Sequence, residues 1–347
     1  METTSARTAL FPDPDLLERR LDAFLEQRGM DRDAVRKEID QGLGSPALAV
    51  VAGSVLAGFG NHRSDLDLLV LVENDRLTRF PIQSHEHGTL IDINVRRASA
   101  VRESTAELTA EPWPRFAGVC ESAWNHRRRA INTVSRLALG LPLVVSPPWD
   151  DWLTKVRGPW LGEVVEQWWT VEAQRLALAA RWLLQARPMA AAVRGREAVV
   201  AALNARAAAA GELYFTEKWV GEKLKLRNDT EGLAVLHEVL GPPLAPRERV
   251  ARCLSLVEQL AAVDAPLHAV LRWATGVGQT VLDDRTVVDR WQLRAVETFR
   301  QDLPEPGDDD VIWSGSVGDL PPDDVLPLFV HDMVWLGVAH PAQEVSS

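Results

Sequence analysis

Cysteine is scarce: the 347 residues include two, Cys120 and Cys253, far apart and in no repeated ligand spacing. That count gives no reason to infer a disulfide framework, and a reducing, cytoplasmic setting fits it. Basic residues are outnumbered, 38 against 49 acidic, for a formal net charge of -11. Such a balance argues against broad attraction to long nucleic acid or to an anionic membrane. Long apolar runs are missing too. The segments near 134–145 and 176–184 are short or broken by Arg136 and Arg181, so neither reads as a membrane span. The opening METTSARTALFPDPD has neither the basic region nor the apolar core of a secretion signal. His85, Glu86 and His87 stand together without a third and fourth ligand at zinc spacing, and read as a loop between strands.

What is present is an ordinary globular composition, 46% hydrophobic and 25% charged, with length for two or three domains. Leu16, Leu17, Leu21, Phe24 and Leu25 recur at helical spacing behind a cap at Asp13 or Asp15, and Gly29 ends that helix. A second short helix is expected from Asp31 or Asp33 to Gly42. Leu48–Gly53 then reads as a strand, Ser54–Phe59 as one or two helical turns, residues 65–73 as a second strand and Thr89–Val95 as a third. The expected architecture is an α/β domain over 1–110, a small mixed sheet flanked by helices. A mostly helical domain follows over 111–280, where Ala, Leu, Arg and most of the 13 Trp concentrate, with one helix spanning about 247–273. An accessory region over 281–347 completes the chain. Between Gln301 and Val325 it carries eight acidic residues and no basic one, and VLPLFVHDMVWLGVAH predicts an apolar-faced helix.

The chemistry concentrates in VVAGSVLAGFGNHRSDLDLLVLVE, residues 50–73. Alternation along the second strand puts Leu66, Leu68, Val70 and Val72 on one face and Asp65, Asp67, Leu69 and Leu71 on the other. Two carboxylates about 7 Å apart on one face of an apolar strand repel unless a cation joins them. Asp92 sits in the same apolar setting on the third strand. Magnesium would neutralise such a trio through oxygen ligands and keep positions open for phosphate and water. The turn at Gly53 and Ser54 supplies the complementary half, since glycine admits an anion close to the backbone and the following amides and hydroxyl can hold a polyphosphate.

Gly53-Ser54, a short helix and turn, Asp65-Leu66-Asp67 in an apolar strand, and Asp92 on a later strand together resemble the nucleotidyltransferases of the DNA polymerase beta-like fold. The resemblance covers residues 48–95, and Ser64 before Asp65 fits the pattern. It departs after Gly-Ser, where many relatives carry an arginine and this chain has Leu56, Ala57 and Gly58. The resemblance implies transfer of a nucleoside monophosphate from a nucleoside triphosphate, ATP being one, to an acceptor hydroxyl, with release of pyrophosphate. It implies that Asp65 and Asp67 bridge two Mg2+ ions, that Asp92 completes the catalytic metal site, and that Gly53, Ser54 and Ser64 serve the nucleotide.

In TEKWVGEKLKLR, Lys218 and Lys223 are candidate phosphate contacts, with Lys225 and Arg227 beside them; the alternative is the wet face of a helix. Tyr214 and Phe215 line a base or acceptor pocket or pack in the core, and Arg63 and the basic stretch 126–129 are as consistent with solvated surface as with phosphate contact. The acidic balance favours a small hydroxylated acceptor, attracted more strongly if cationic, and the resemblance extends in style to antibiotic-modifying enzymes of the aminoglycoside type. Two alternatives stay open: a nucleotidyltransferase acting on protein, and a non-catalytic nucleotide-binding regulator.

Overall fold

The computed structural model describes residues 11–43, 45–74, 81–86, 88–110, 120–242, 244–263, 267–282, 285–290, 294–298, 303–307 and 310–339. The chain divides into two compact units. The first comprises residues 1–111, 129–165 and 207–223; the second comprises 112–128, 166–206 and 224–347.

The chain starts with α1 (Pro14–Glu26), α2 (Arg32–Leu43), β1 (Leu48–Ala52) and α3 (Ser54–Ala57). Next come β2 (Leu66–Val72), β3 (Pro81–Glu86), β4 (Thr89–Arg97) and α4 (Ala98–Ala110). Asp13 caps α1 by accepting a hydrogen bond from the Asp15 amide, and Asp31 accepts from the Ala34 amide at the start of α2. After α5 (Glu121–Leu139), β5 (Leu141–Val145) closes a five-stranded sheet in the order β3-β4-β2-β1-β5. β2 and β4 are parallel; the other neighbouring pairs are antiparallel, which makes the sheet mixed.

Each face of this sheet is covered, as alternation requires. On one, Leu66, Leu68 and Val70 of β2 with Ile91, Ile93 and Val95 of β4 meet Leu17, Leu21 and Leu25 of α1 and Val35 and Ile39 of α2. On the other, Leu48 and Val50 of β1 with Leu69 and Leu71 of β2 meet Ala98 and Val101 of α4, Leu137 of α5, and Trp149 and Leu153 of α6 (Pro147–Val156). Each such large aliphatic side chain, fully buried, contributes about 1.5–3 kcal/mol.

The helical part continues through α7 (Pro159–Leu183), α8 (Pro188–Ala209), α9 (Val220–Leu226), α10 (Thr230–Leu240) and α11 (Pro246–Leu260). The core of the second unit is rich in tryptophan: Trp124 lies 5.3 Å from Trp168, which meets Trp169 edge-on at 4.8 Å. Strands β6 (His268–Trp273), β7 (Val277–Leu282), β8 (Arg285–Arg290), β9 (Arg294–Thr298) and β10 (Val311–Ser316) follow, then α12 (Leu326–Val330) and β11 (Val334–Ala339). They form two small sheets, β10-β6-β11 and β7-β8-β9. Among the described residues no helix is long and apolar enough to cross a membrane.

Three local expectations are corrected. The helix expected over 247–273 stops at Leu260, and the apolar residues from His268 form β6. The helix expected across VLPLFVHDMVWLGVAH is one short α12, ended where Asp332 adopts a left-handed conformation (φ 63°), then the strand β11. In both places a short apolar run buried on all sides has no readable period. The loop expected around His85 and Glu86 is β3, an edge strand that begins with Pro81. An edge position tolerates proline and polar residues because half of its backbone groups face away from the sheet. His87 lies outside the described residues, as do Asp302, Asp308 and Asp309 of the acidic stretch.

Candidate active site

The two central strands bring the predicted carboxylates level. Ala52, the last residue of β1, pairs with Asp67, and Asp67 stands beside Asp92 in the parallel β2–β4 register. Both residues point to the face that also carries Leu69 and Leu71, because they share strand parity with them. Neighbouring strands are about 4.8 Å apart, so two like charges sit side by side. Six of the seven residues of β2 are buried, and the exception is Asp67. Asp65 precedes the strand and is exposed.

Gly53 is the hinge between β1 and α3, with φ 86° and ψ -169°, a region of backbone space that essentially only glycine enters. Asp67 lies directly over it. A Cβ at residue 53 would collide with Asp67 Oδ2 and stand 2.8 Å from Cγ. Ser54 opens α3 and its carbonyl accepts from the Phe59 amide at 2.9 Å, closing the turn. The Ser64 hydroxyl accepts from the Asn61 amide at 2.9 Å, which fixes the tight turn that delivers the chain to β2. Arg63 on that turn is exposed. Arg20 of α1 donates to the Leu56 carbonyl at 2.6 Å and so caps α3 from below.

One residue of this cluster was read from the sequence only as an interruption of an apolar segment. Arg136, near the end of α5, donates through Nη2 to Asp67 Oδ1 at 2.9 Å; its side chain is 18% exposed and that of Asp67 26%. Gly140 fixes its height. A Cβ there would run into Val50 Cγ1 and the Val51 carbonyl, so only glycine lets the end of α5 press on β1 before β5 pairs with it. The signal available in the sequence was a guanidinium in INTVSRLALG, a stretch otherwise nearly uncharged.

The electrostatics follow. Burial pushes the Asp67 carboxyl above its ordinary range; Arg136 opposes this by charge and hydrogen bond, and the Asp92 and Asp65 charges push it up again. The Tyr214 hydroxyl is held above its usual value by burial, lowered by Arg136 and raised by Asp67, which puts the phenol in the field of the pair. Phe59, at the exit of α3, meets Tyr214 edge-on at 5.8 Å and stacks with Trp219 at 5.9 Å. Phe215 is buried. Asp92 accepts from Asn94 Nδ2 at 3.2 Å on one oxygen, while its other oxygen, Oδ1, is buried with no hydrogen-bond partner among the described residues.

The two lysines are placed differently. Lys218 is exposed and lies over the Trp219 ring, 4.9 Å from its centre. Lys223 is buried, donates to the Thr216 carbonyl at 2.7 Å, and is pushed down to about 7 by that burial against the pull of Glu212 and Glu217. Lys225 and Arg227 belong to the second unit.

Carboxylate oxygens are the donor type that a hard divalent cation selects, and the partnerless Asp92 Oδ1 fits such an ion. Asp67 is the qualification, since its Oδ1 is engaged by Arg136. Among the described residues, no three His, Cys, Asp or Glu side chains are gathered as a formed metal cage.

No family model and no curated protein matches the chain. Among solved structures it is similar to a nucleotidyltransferase-like protein from Exiguobacterium sibiricum, at 14% identity and a TM-score of 0.39, over 66% of this chain and 74% of that one. A likeness of that size says nothing about chemistry.

Proposed function

We propose that the chain is a divalent-metal-dependent nucleotidyltransferase that moves a nucleoside monophosphate from a nucleoside triphosphate to a hydroxyl of a small acceptor and releases pyrophosphate. The observation that carries the reading is the side-by-side placement of Asp67 and Asp92 on the parallel strand pair, with Asp67 over the glycine hinge at the start of α3. Two adjacent like charges in a half-buried setting destabilise a sheet, and groups perturbed in this way concentrate at functional sites.

In this reading Asp65, Asp67 and Asp92 hold two Mg2+ ions, which when bound supply the positive charge that phosphoryl transfer requires. Gly53 makes room for the Asp67 carboxylate at the start of α3, and Ser54, with Ser64 behind it, orients the phosphates. Asp92 takes the proton from the acceptor hydroxyl as its oxygen bonds to the α-phosphorus and the bond to pyrophosphate breaks. Lys218, exposed beside Trp219, is the lysine suited to a phosphate at the rim, whereas Lys223 acts from within by fixing the Thr216 turn. An acceptor carrying amines suits the surplus of carboxylates, which brings antibiotic-type aminocyclitols and their biosynthetic relatives into the first panel.

The test is magnesium-dependent pyrophosphate release over four triphosphates and a panel of hydroxylated amines, neutral polyols and proteins. Release is expected with a small acceptor and lost in Asp65→Ala and Asp67→Ala. Release with protein acceptors alone assigns the protein-modifying alternative. A second reading, a nucleotide-binding regulator, draws on the ion pair that occupies Asp67. Triphosphate binding without product on any acceptor would select it.

A further inference from the structure

We propose that Arg136 is a built-in competitor for the divalent cation, holding Asp67 until a metal takes that carboxylate. The inference rests on the metal-dependent reading above and adds a residue and a sequence of events to it. Arg136 Nη2 sits 2.9 Å from Asp67 Oδ1, and both side chains are largely out of solvent, where charge interactions are screened least. Its Nε is buried and has no hydrogen-bond partner, so the ion pair is the one anchorage of its guanidinium that the described residues display. The backbone of Arg136 is not free to retreat. Its carbonyl is 3.0 Å from where a Gly140 Cβ would lie, and the next residue, Leu141, is paired to Val51 of β1. Release of Asp67 must therefore come from rotation of the arginine side chain.

A metal on Asp67 and Asp92 would meet a guanidinium at hydrogen-bonding distance from one of its ligands. Two cations so placed repel, and the carboxylate charge that Arg136 neutralises is subtracted from what the metal feels. Asp92, whose Oδ1 has no partner among the described residues, carries no such penalty. Asp92 would thus be the carboxylate open to a first ion, and Asp67 would join it only once Arg136 has turned away. Arg136 thus holds the carboxylate that lies over Gly53, in a chain that lacks an arginine after Gly-Ser.

The experiment measures Mn2+ binding to the full nucleotide-free chain at about pH 8, where carboxylates are ionised, by the electron paramagnetic resonance of free Mn2+. Thermal stabilisation by Mn2+ is the second readout. Arg136→Gln should bind Mn2+ about 5- to 150-fold more tightly than the unmodified chain, the range of ordinary coupling between two ligands. Adding Asp67→Asn to Arg136→Gln should abolish the gain. Arg136→Lys, a single-point cation with fewer donors, should fall between, and it decides alone if the glutamine variant fails to fold: tighter binding supports the proposal, and equal or weaker binding overturns it. Equal affinity in the unmodified chain and Arg136→Gln, with both weakened by Asp67→Asn, refutes competition and leaves the metal reading standing. No Mn2+ bound by any variant refutes both.

Discussion

Replacing Gly53 with alanine tests the site's geometry through stability and chemistry at once. The backbone at φ 86° and ψ -169° lies where a side-chain-bearing residue costs about 1–3 kcal/mol. The added Cβ also collides with Asp67 Oδ2 and crowds its Cγ, at 2.8 Å, and its Cβ, at 2.9 Å. Asp67 must swing away, and the hydrogen bond it accepts from Arg136, partly exposed, is worth about 1 kcal/mol after screening. The combined loss is about 2–4 kcal/mol, and at about 2–4 °C per kcal/mol for a domain of ordinary size this lowers Tm by about 4–16 °C. Gly29→Ala is the control. Gly29 is also left-handed, at φ 65°, but nothing lies within 4 Å of where its Cβ would be, so it should lose only about 1 kcal/mol. Thermal unfolding of both variants by calorimetry, with pyrophosphate release alongside, gives the comparison. A carboxylate displaced by about 1 Å costs a well-positioned reaction roughly 100-fold. If Gly53→Ala loses no more Tm than Gly29→Ala, or keeps its turnover, then Asp67 is not held against the hinge and the site described above is wrong.

Three further outcomes follow from other parts of the first unit. Asp92→Asn should keep triphosphate affinity within a few fold while turnover falls at least about 100-fold, since the change removes a proton acceptor but little volume; unchanged turnover removes Asp92 from the chemistry. Lys223 has its folded value at about 7, below the ordinary 10.5, so the unfolded chain binds more protons between those limits and stability rises with pH across that window. The rise, several kcal/mol at most, should be missing from Lys223→Met in urea titrations at pH values from about 6 to 10, and parallel curves for the two chains would contradict a buried Lys223 that gives up its proton near 7. Arg20→Met removes the donor to the Leu56 carbonyl and should cost about 1–3 kcal/mol by chemical denaturation; a neutral result would mean that the apolar packing of Val55 and Leu56 holds α3 without this hydrogen bond.

The alternation in β2 made its two faces readable from sequence, because a strand buried on both sides still assigns odd and even residues to opposite faces, and Leu66, Leu68 and Val70 do lie opposite Leu69 and Leu71. The Gly-Ser hinge was readable for the same local reason: a glycine between a strand and a short helix marks a backbone that other residues avoid. Arg136 was not readable in this way. It lies 69 positions from Asp67, and what unites them is the antiparallel pairing of β5 with β1, itself concealed because Pro142 reads as a helix terminator until the strand is known to lie at the sheet edge. Long-range pairing leaves no period in the segments it joins. The same limit applies to β6 and β11, whose apolar residues are too few to distinguish a buried strand from a turn or two of helix.

The parallel step between β2 and β4 is where the fold accepts a cost that an antiparallel hairpin of the same residues would let it avoid. A hairpin register can shift a carboxylate opposite a hydroxyl or a cation. Here the parallel register fixes Asp67 level with Asp92, and the burial of Leu66, Leu68, Ile91 and Ile93 on the opposite face forbids a slip by one residue. The hydrophobic core therefore dictates the distance between the two charges. Arg136 answers one of them, on Asp67, and leaves Asp92 with a buried oxygen that none of the described residues satisfies. A sequence selected for stability alone has an inexpensive remedy in a neutral residue at 92, since a buried unpaired acceptor costs about 1–3 kcal/mol and its removal costs little. In the proposed reading, the acid is kept where the core holds it rigid because the group that would satisfy it comes from outside the chain.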